Sequence, residues 1–261
     1  MHAPGTVYTV FYILLAVNVA GSLGWLIWKA RREETPLPLA AFAGSLAIAC
    51  VLPPIYNTLT LVWFPSNIPL PFVTAFGMKD PFFDFLGYAL FIGFGGYFLC
   101  AQLQRGAGAR VVWLTFAAWG LADLALEIPF LQLDLYTYYG HQPFLIGGFP
   151  LHWVFMNGLV PVLTGLLMYG AAERWPGGRG GAAWRVAACP AIAGALLFIP
   201  LAPVATALNA DVPQGLRYAA SLLSILISLA AMRAIARLVD RHVAARVSVP
   251  PAVAQRAAVA A

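Results

Sequence analysis

The sequence predicts an all-α membrane protein, a polytopic bundle of seven transmembrane helices with its N-terminus outside and its C-terminus in the cytoplasm. Three observations lead there. The chain of 261 residues is 61% hydrophobic and only 10% charged, with a mean hydropathy of +0.80, whereas a soluble domain carries about 25% charged residues. Long uncharged stretches recur, bounded by Met1 and Trp28, Thr35 and Met78, Phe85 and Gln104, Val111 and Ala122, Leu135 and Ala172, Val186 and Ala210, and Tyr218 and Met232. The cations fall between these stretches in alternation. Disorder, collagen, a disulfide scaffold and a cytosolic enzyme are incompatible with this composition.

A spanning helix needs about 20 mostly apolar residues, because the hydrocarbon layer is ~30 Å thick and a helix rises ~1.5 Å per residue. The expected spans are 6–28, 37–60, 81–103, 110–131, 150–172, 184–206 and 213–238. In that arrangement Lys29, Arg31, Arg32, Arg105, Arg110, Arg174, Arg179, Arg185, Arg233, Arg237, Arg241, Arg246 and Arg256 share one side, leaving Lys79 and Arg217 on the other. The positive-inside rule makes the rich side cytoplasmic. A cleaved signal peptide would place its cations first, so the first helix reads as a retained anchor. The net charge of +5 thus reflects topology, and no nucleic-acid partner is expected.

Residues 1–242 read as one membrane domain, and 243–261, rich in Ala and Val with Pro250 and Pro251, as a disordered cytoplasmic tail. The stretch from Pro176 to Gly181 reads as a cytoplasmic loop, and no internal repeat supports an inverted-repeat transporter. Cys50, Cys100 and Cys189 lie in apolar runs without ligand spacing and read as small core residues. Gly93-Phe-Gly-Gly96 reads as close packing of small residues.

Polar residues concentrate toward the outer side. On the fourth helix, Asp123 and Glu127 are spaced i, i+4 and share a face with Trp119. Counted from Arg110 at ~1.5 Å per residue, they lie about 20 and 25 Å along the axis, in the outer third of the hydrocarbon. Acids at such depth cost about 2.5–3.5 kcal/mol each and normally face a cavity or the bundle interior. Two carboxyls one turn apart also resist joint ionisation, which favours a pair holding a proton. Pro129 leaves the Ala125 carbonyl without its helical donor. Snorkelling to the outer end, or pairing with His152 or Asn157 to lock helices, is the alternative for both acids.

Asp80 before Pro81 has the form of an N-cap with proline at the first helical position; Asp84, one turn inside, is the better site candidate. Asp211, before Pro213, repeats the cap pattern and is a further candidate acid. His141 lies in an aromatic loop suited to the membrane interface. His152 can orient an acid, act as a base, or bond between helices. No HxxxH or HExxH pair occurs, so no metal is expected, and neither is any cofactor. No lysine lies deep in a span to carry a retinal Schiff base, and Asp80 to Asp84 has neither the adjacent acids nor the facing cluster of a magnesium-diphosphate site.

The run Gly120-Leu-Ala-Asp123-Leu-Ala-Leu-Glu127-Ile-Pro-Phe130 resembles a helix of the emopamil-binding/sterol isomerase family, with Asp123 standing where that family usually has His. In size and sparse buried acids the chain is similar to small integral-membrane terpene cyclases. Both resemblances imply a carboxylic acid that protonates an alkene or epoxide in an apolar pocket. They imply Glu127 as donor, Asp123 as its charge-tuning partner, Asp84 or Asp211 as a second acid, and Trp119, Phe130, Tyr138 and Trp153 stabilising a carbocation. His152 and Asn157 complete the expected substrate-binding set. The expectation is an integral-membrane isomerase or cyclase of an apolar terpenoid or sterol-like lipid, in the inner cell membrane with its site toward the outer leaflet. A non-catalytic lipid- or small-molecule-binding or transport protein is the alternative, and a structural subunit a third.

Overall fold

In the computed structural model, which describes residues 5–173 and 178–247, helices dominate. They are α1 (Gly5–Arg32), α2 (Leu37–Ala49), α3 (Leu52–Leu59), α4 (Phe82–Gln104), α5 (Ala109–Gln132), α6 (Leu151–Glu173), α7 (Gly178–Leu208) and α8 (Gln214–Val247). Six of these are long and apolar enough to cross a membrane, and the count is seven if α2 and α3 form one broken span. An all-α membrane bundle accounts for this arrangement.

The helix expected at 37–60 is therefore two helices, bent by 49° at Cys50 and Val51. Pro53 and Pro54 lack the N–H groups that would bond back to Ala49 and Cys50, so the helix cannot run through. Cys50, expected in the core, is exposed at this break, while Cys100 and Cys189 are buried. α7 begins at Gly178 rather than near 184, which removes part of the loop expected at 176–181. α8 continues to Val247, past the 238 expected for the last span and the 242 expected for the membrane domain; residues 248–261 and 174–177 lie outside the described residues.

The connections at the acid-bearing end hold three short antiparallel pairs that no sequence signal had indicated. β1 (Val62–Trp63) pairs with β4 (Thr137–Tyr138), β2 (Pro71–Ala75) with β3 (Met78–Pro81), and β5 (Leu145–Ile146) with β6 (Phe149–Pro150). The buried side chain of Gln142 donates to the carbonyls of Thr60 (2.8 Å) and Tyr139 (3.1 Å), tying the 133–150 connection to the end of α3.

α6 runs through the centre of the bundle, packed on α4, α5, α7 and α8. Lipid gives apolar helices no reason to exclude solvent from one another, so close approach through small residues supplies the packing. A Cβ on Gly165 would stand 2.7 Å from the carbonyl oxygen of Gly96 and 2.8 Å from Cβ of Leu99. Gly93 and Gly96, in the run read as small-residue packing, meet Ser45 of α2 and Thr164 of α6. By contrast α1 buries only Tyr8, Leu26 and Lys29. Its far end is fixed by an ion pair between Lys29 and Glu33, with the Tyr97 hydroxyl donating to Glu33 at 3.3 Å.

Gly165→Leu is expected to lower the stability of the detergent-solubilised protein by about 1–3 kcal/mol or more, since backbone must move. Gly170→Leu, where a Cβ meets nothing within 4 Å, should leave it unchanged. Melting followed by size-exclusion chromatography checks the pair.

Candidate functional site

The sequence left open which way Asp123 and Glu127 face. In the structure, α5 turns Leu114, Leu121 and Leu126 outward, each more than half exposed, while Asp123 and Glu127 point to its neighbours. Asn157 Nδ2 of α6 donates to Asp123 Oδ2 at 2.7 Å. The Tyr136 hydroxyl donates to Glu127 Oε2, and the Tyr138 hydroxyl lies 3.5 Å from the same oxygen. Tyr136 immediately precedes β4 and Tyr138 lies in it, and alternation along an extended chain sends both rings the same way.

Local packing explains the alignment. A Cβ on Gly120 would collide with the carbonyl oxygen of Val154, and one on Gly158 would lie 2.5 Å from that of Phe116. These two contacts lie within about two turns of Asp123 on α5 and beside Asn157 on α6, holding the two helices within reach of each other. Along the same face of α5, Trp119 stacks near Phe94 and Phe98 (ring centroids 6.4 and 6.0 Å), and Phe130 meets Phe11 edge-on at 4.6 Å.

A second acidic unit faces the first from α4. Asn57 of α3, buried, donates through Nδ2 to Asp80 Oδ1 and to Asp84 Oδ2, both at 2.8 Å. Asp84 is close enough to Glu127 for their charges to interact, and Tyr88, one turn beyond Asp84, feels Asp84, Asp123 and Glu127 together. Among the described residues no lysine or arginine pairs with these acids: Lys79 is exposed, and Arg217 donates to the carbonyls of Ala207 and Ala210. Among the described residues no group of three His, Cys, Asp or Glu side chains is placed to hold a metal ion.

Several expectations are corrected. Asp80 does not cap α4: it belongs to β3, α4 starts at Phe82 after Pro81, and Asp80 is instead 2% exposed with Oδ2 unpartnered. Asp211 is exposed in the connection before α8, apart from the acid cluster, because α8 begins only at Gln214. His152 takes the interhelical alternative rather than a place beside an acid. It is fully buried, with Nδ1 3.2 Å from the hydroxyl of Ser221 on α8, so it joins helices. Trp153 packs between Tyr56 and His152, and its indole N–H is buried without a partner. His141 is exposed, with its carbonyl 3.5 Å from Gln214 Nε2.

Asn57, Tyr88 and Tyr136 were not singled out. For Tyr88 the signal existed, since it stands i+4 from Asp84 on one helix face. Nothing local marks Asn57, which is 23 and 27 residues from its two partners. In the connection, burial and then the neighbouring Glu127 push the Tyr136 and Tyr138 hydroxyls well above the usual tyrosine range. Both therefore remain donors. No family model, no curated protein and no solved structure matches the chain.

Burial raises the Asp80 carboxyl above its usual range, and the Asn57 amide only partly offsets this. A folded-state pKa above the unfolded one means that protonation favours the fold. That contribution is complete below the unfolded carboxyl range near ~4 and is lost as pH rises through the folded value. Asp80→Asn imitates the protonated acid. Its melting temperature relative to wild type should therefore increase from about pH 4 to about pH 8; a constant difference would contradict this.

Proposed function

We propose that the chain is an integral-membrane isomerase or cyclase that protonates an alkene or epoxide of an apolar terpenoid or sterol-like lipid. The observation that carries this reading is the inward-facing pair Asp123 and Glu127, which among the described residues has no cation partner and is bonded to neutral amide and phenol groups. Two carboxyls one turn apart at membrane depth are a place to store a proton, and the surroundings offer aromatic faces rather than water.

In the proposed reaction the Glu127 carboxyl gives its proton to an alkene carbon or an epoxide oxygen. Opening of the π bond or of the C–O bond leaves a carbocation on the adjacent carbon. The faces of Tyr88, Trp119 and Phe130 stabilise that cation. Loss of a proton from a neighbouring carbon to a carboxylate, Asp84 or Asp123, yields the shifted alkene; attack by a second alkene of the same molecule before that loss gives a ring. No redox partner is needed for atoms and electrons to balance. The resemblance of the run from Gly120 to Phe130 to the sterol isomerase helix agrees with this chemistry.

The same reading includes seven spans, with α2 and α3 as one broken span. It places the N-terminus outside, the cation-rich connections in the cytoplasm, and the acids toward the outer leaflet of the inner membrane.

Membranes incubated in heavy water with terpenoid alkenes, epoxides and sterols should give a deuterated, rearranged product by mass spectrometry. Glu127→Gln should lower its rate by at least about 100-fold with the folded fraction unchanged. Folded wild-type protein that labels none of these compounds would sink the enzymatic reading in favour of a lipid-binding or transport protein.

A further inference from the structure

Beside the outer part of α1 lies a cavity of about 500 Å³, lined by Tyr8, Thr9, Tyr12 and Ala16 of the helix and by Asn67 and Leu70 of the connection after β1. Its size falls in the ordinary range for small-molecule sites, about 300–1,000 Å³. Its wall is mainly apolar. Two hydroxyls in it are already used, Thr9 bonding the Gly5 carbonyl at 3.1 Å and Tyr12 the Pro69 carbonyl at 2.9 Å. The hydroxyl of Tyr8, a residue 3% exposed, has no partner.

A row of rings leads from the cavity toward the helix segments that carry the acids. Tyr12 lies 6.1 Å from Phe83, and Phe11, beside it on α1, is 4.8 Å from Phe83 and 4.6 Å from Phe130. Phe83 directly precedes Asp84, and Phe130 follows Glu127 by three residues. On the opposite side the cavity borders the face of α1 that carries Ile13, 59% exposed.

We infer that this cavity is a lipid-binding portal, through which an apolar lipid substrate bearing one oxygen acceptor passes from the bilayer to the acids, with Phe11, Phe83 and Phe130 as the gate. The inference rests on the reading under Proposed function for its destination, but the binding site stands on the cavity alone. The Tyr8 hydroxyl, buried without a partner in the cavity wall, becomes the donor for a hydroxyl, carbonyl or epoxide oxygen of the guest once its ring turns toward the cavity. Slender α1, which buries few side chains, is the wall that yields as the guest moves inward.

Photo-crosslinking in membranes tests this with three diazirine probes: a farnesol analogue, a sterol analogue and a phosphatidylcholine. The farnesol or the sterol probe should label peptides within residues 5–16 and 67–70. Ala16→Trp, which fills the cavity, should reduce that label about tenfold, whereas Ala20→Trp, on the same helix outside it, should not. In the heavy-water assay Ala16→Trp should raise KM about tenfold with kcat unchanged. Label that survives Ala16→Trp, or equal labelling by phosphatidylcholine, would overturn the portal. If no compound turns over, the enzymatic reading fails while the crosslinking still decides the site.

Discussion

Everything at the acid cluster depends on how closely α6 approaches α4 and α5. In lipid this approach cannot be driven by excluding water; it is limited by what projects between the helix backbones. Gly96 and Gly165 set the spacing of α4 and α6, and Gly120 and Gly158 that of α5 and α6. The 2.7 Å bond from Asn157 to Asp123 forms next to the two glycine contacts that bring the α5 and α6 backbones together. The glycines and the acids are thus one design, with the apolar contact creating the geometry in which a polar one costs least.

The cluster is organised as two carboxyl units, each held by a neutral amide from another helix: Asn57 for Asp80 and Asp84, Asn157 for Asp123. An amide holds a carboxyl in place without supplying the full charge that would fix it as a carboxylate. A lysine or arginine in the same position would have made a buried ion pair, whose geometry is rigid and whose proton is gone. Here the protonation state stays free to change while the position does not. Such an arrangement lets several acids gather while, among the described residues, neither Lys79 nor Arg217 turns toward them.

How much was legible in the sequence follows from the range of the interactions involved. The charge-free stretches located the long helices, because the hydrocarbon layer sets a length that composition reveals, but α5, α7 and α8 run well past those stretches. The break at Cys50 was visible in Pro53 and Pro54, but a count of apolar length alone runs over it. Two-residue strands such as β1 and β4 carry no periodicity at all. Asp123 and Glu127 stood out from their i, i+4 spacing, and Asp84 from its place one turn inside a span. Their partners lay across the chain: Asn57 is brought to Asp84 by the fold of α3 onto α4, and Tyr136 reaches Glu127 only through the pairing of β4 with β1. Asp211 had the right residue type but lies exposed before α8, whereas His152 made the bond between helices that was one of its three readings, to Ser221.

The pairing of β1 with β4 has one more consequence. Two phenol hydroxyls that touch a carboxyl within the helical bundle are carried by a segment outside the spans, held by a two-residue ladder and the side chain of Gln142. Displacing the 133–150 connection would therefore shift both hydroxyls at once, although neither belongs to a helix.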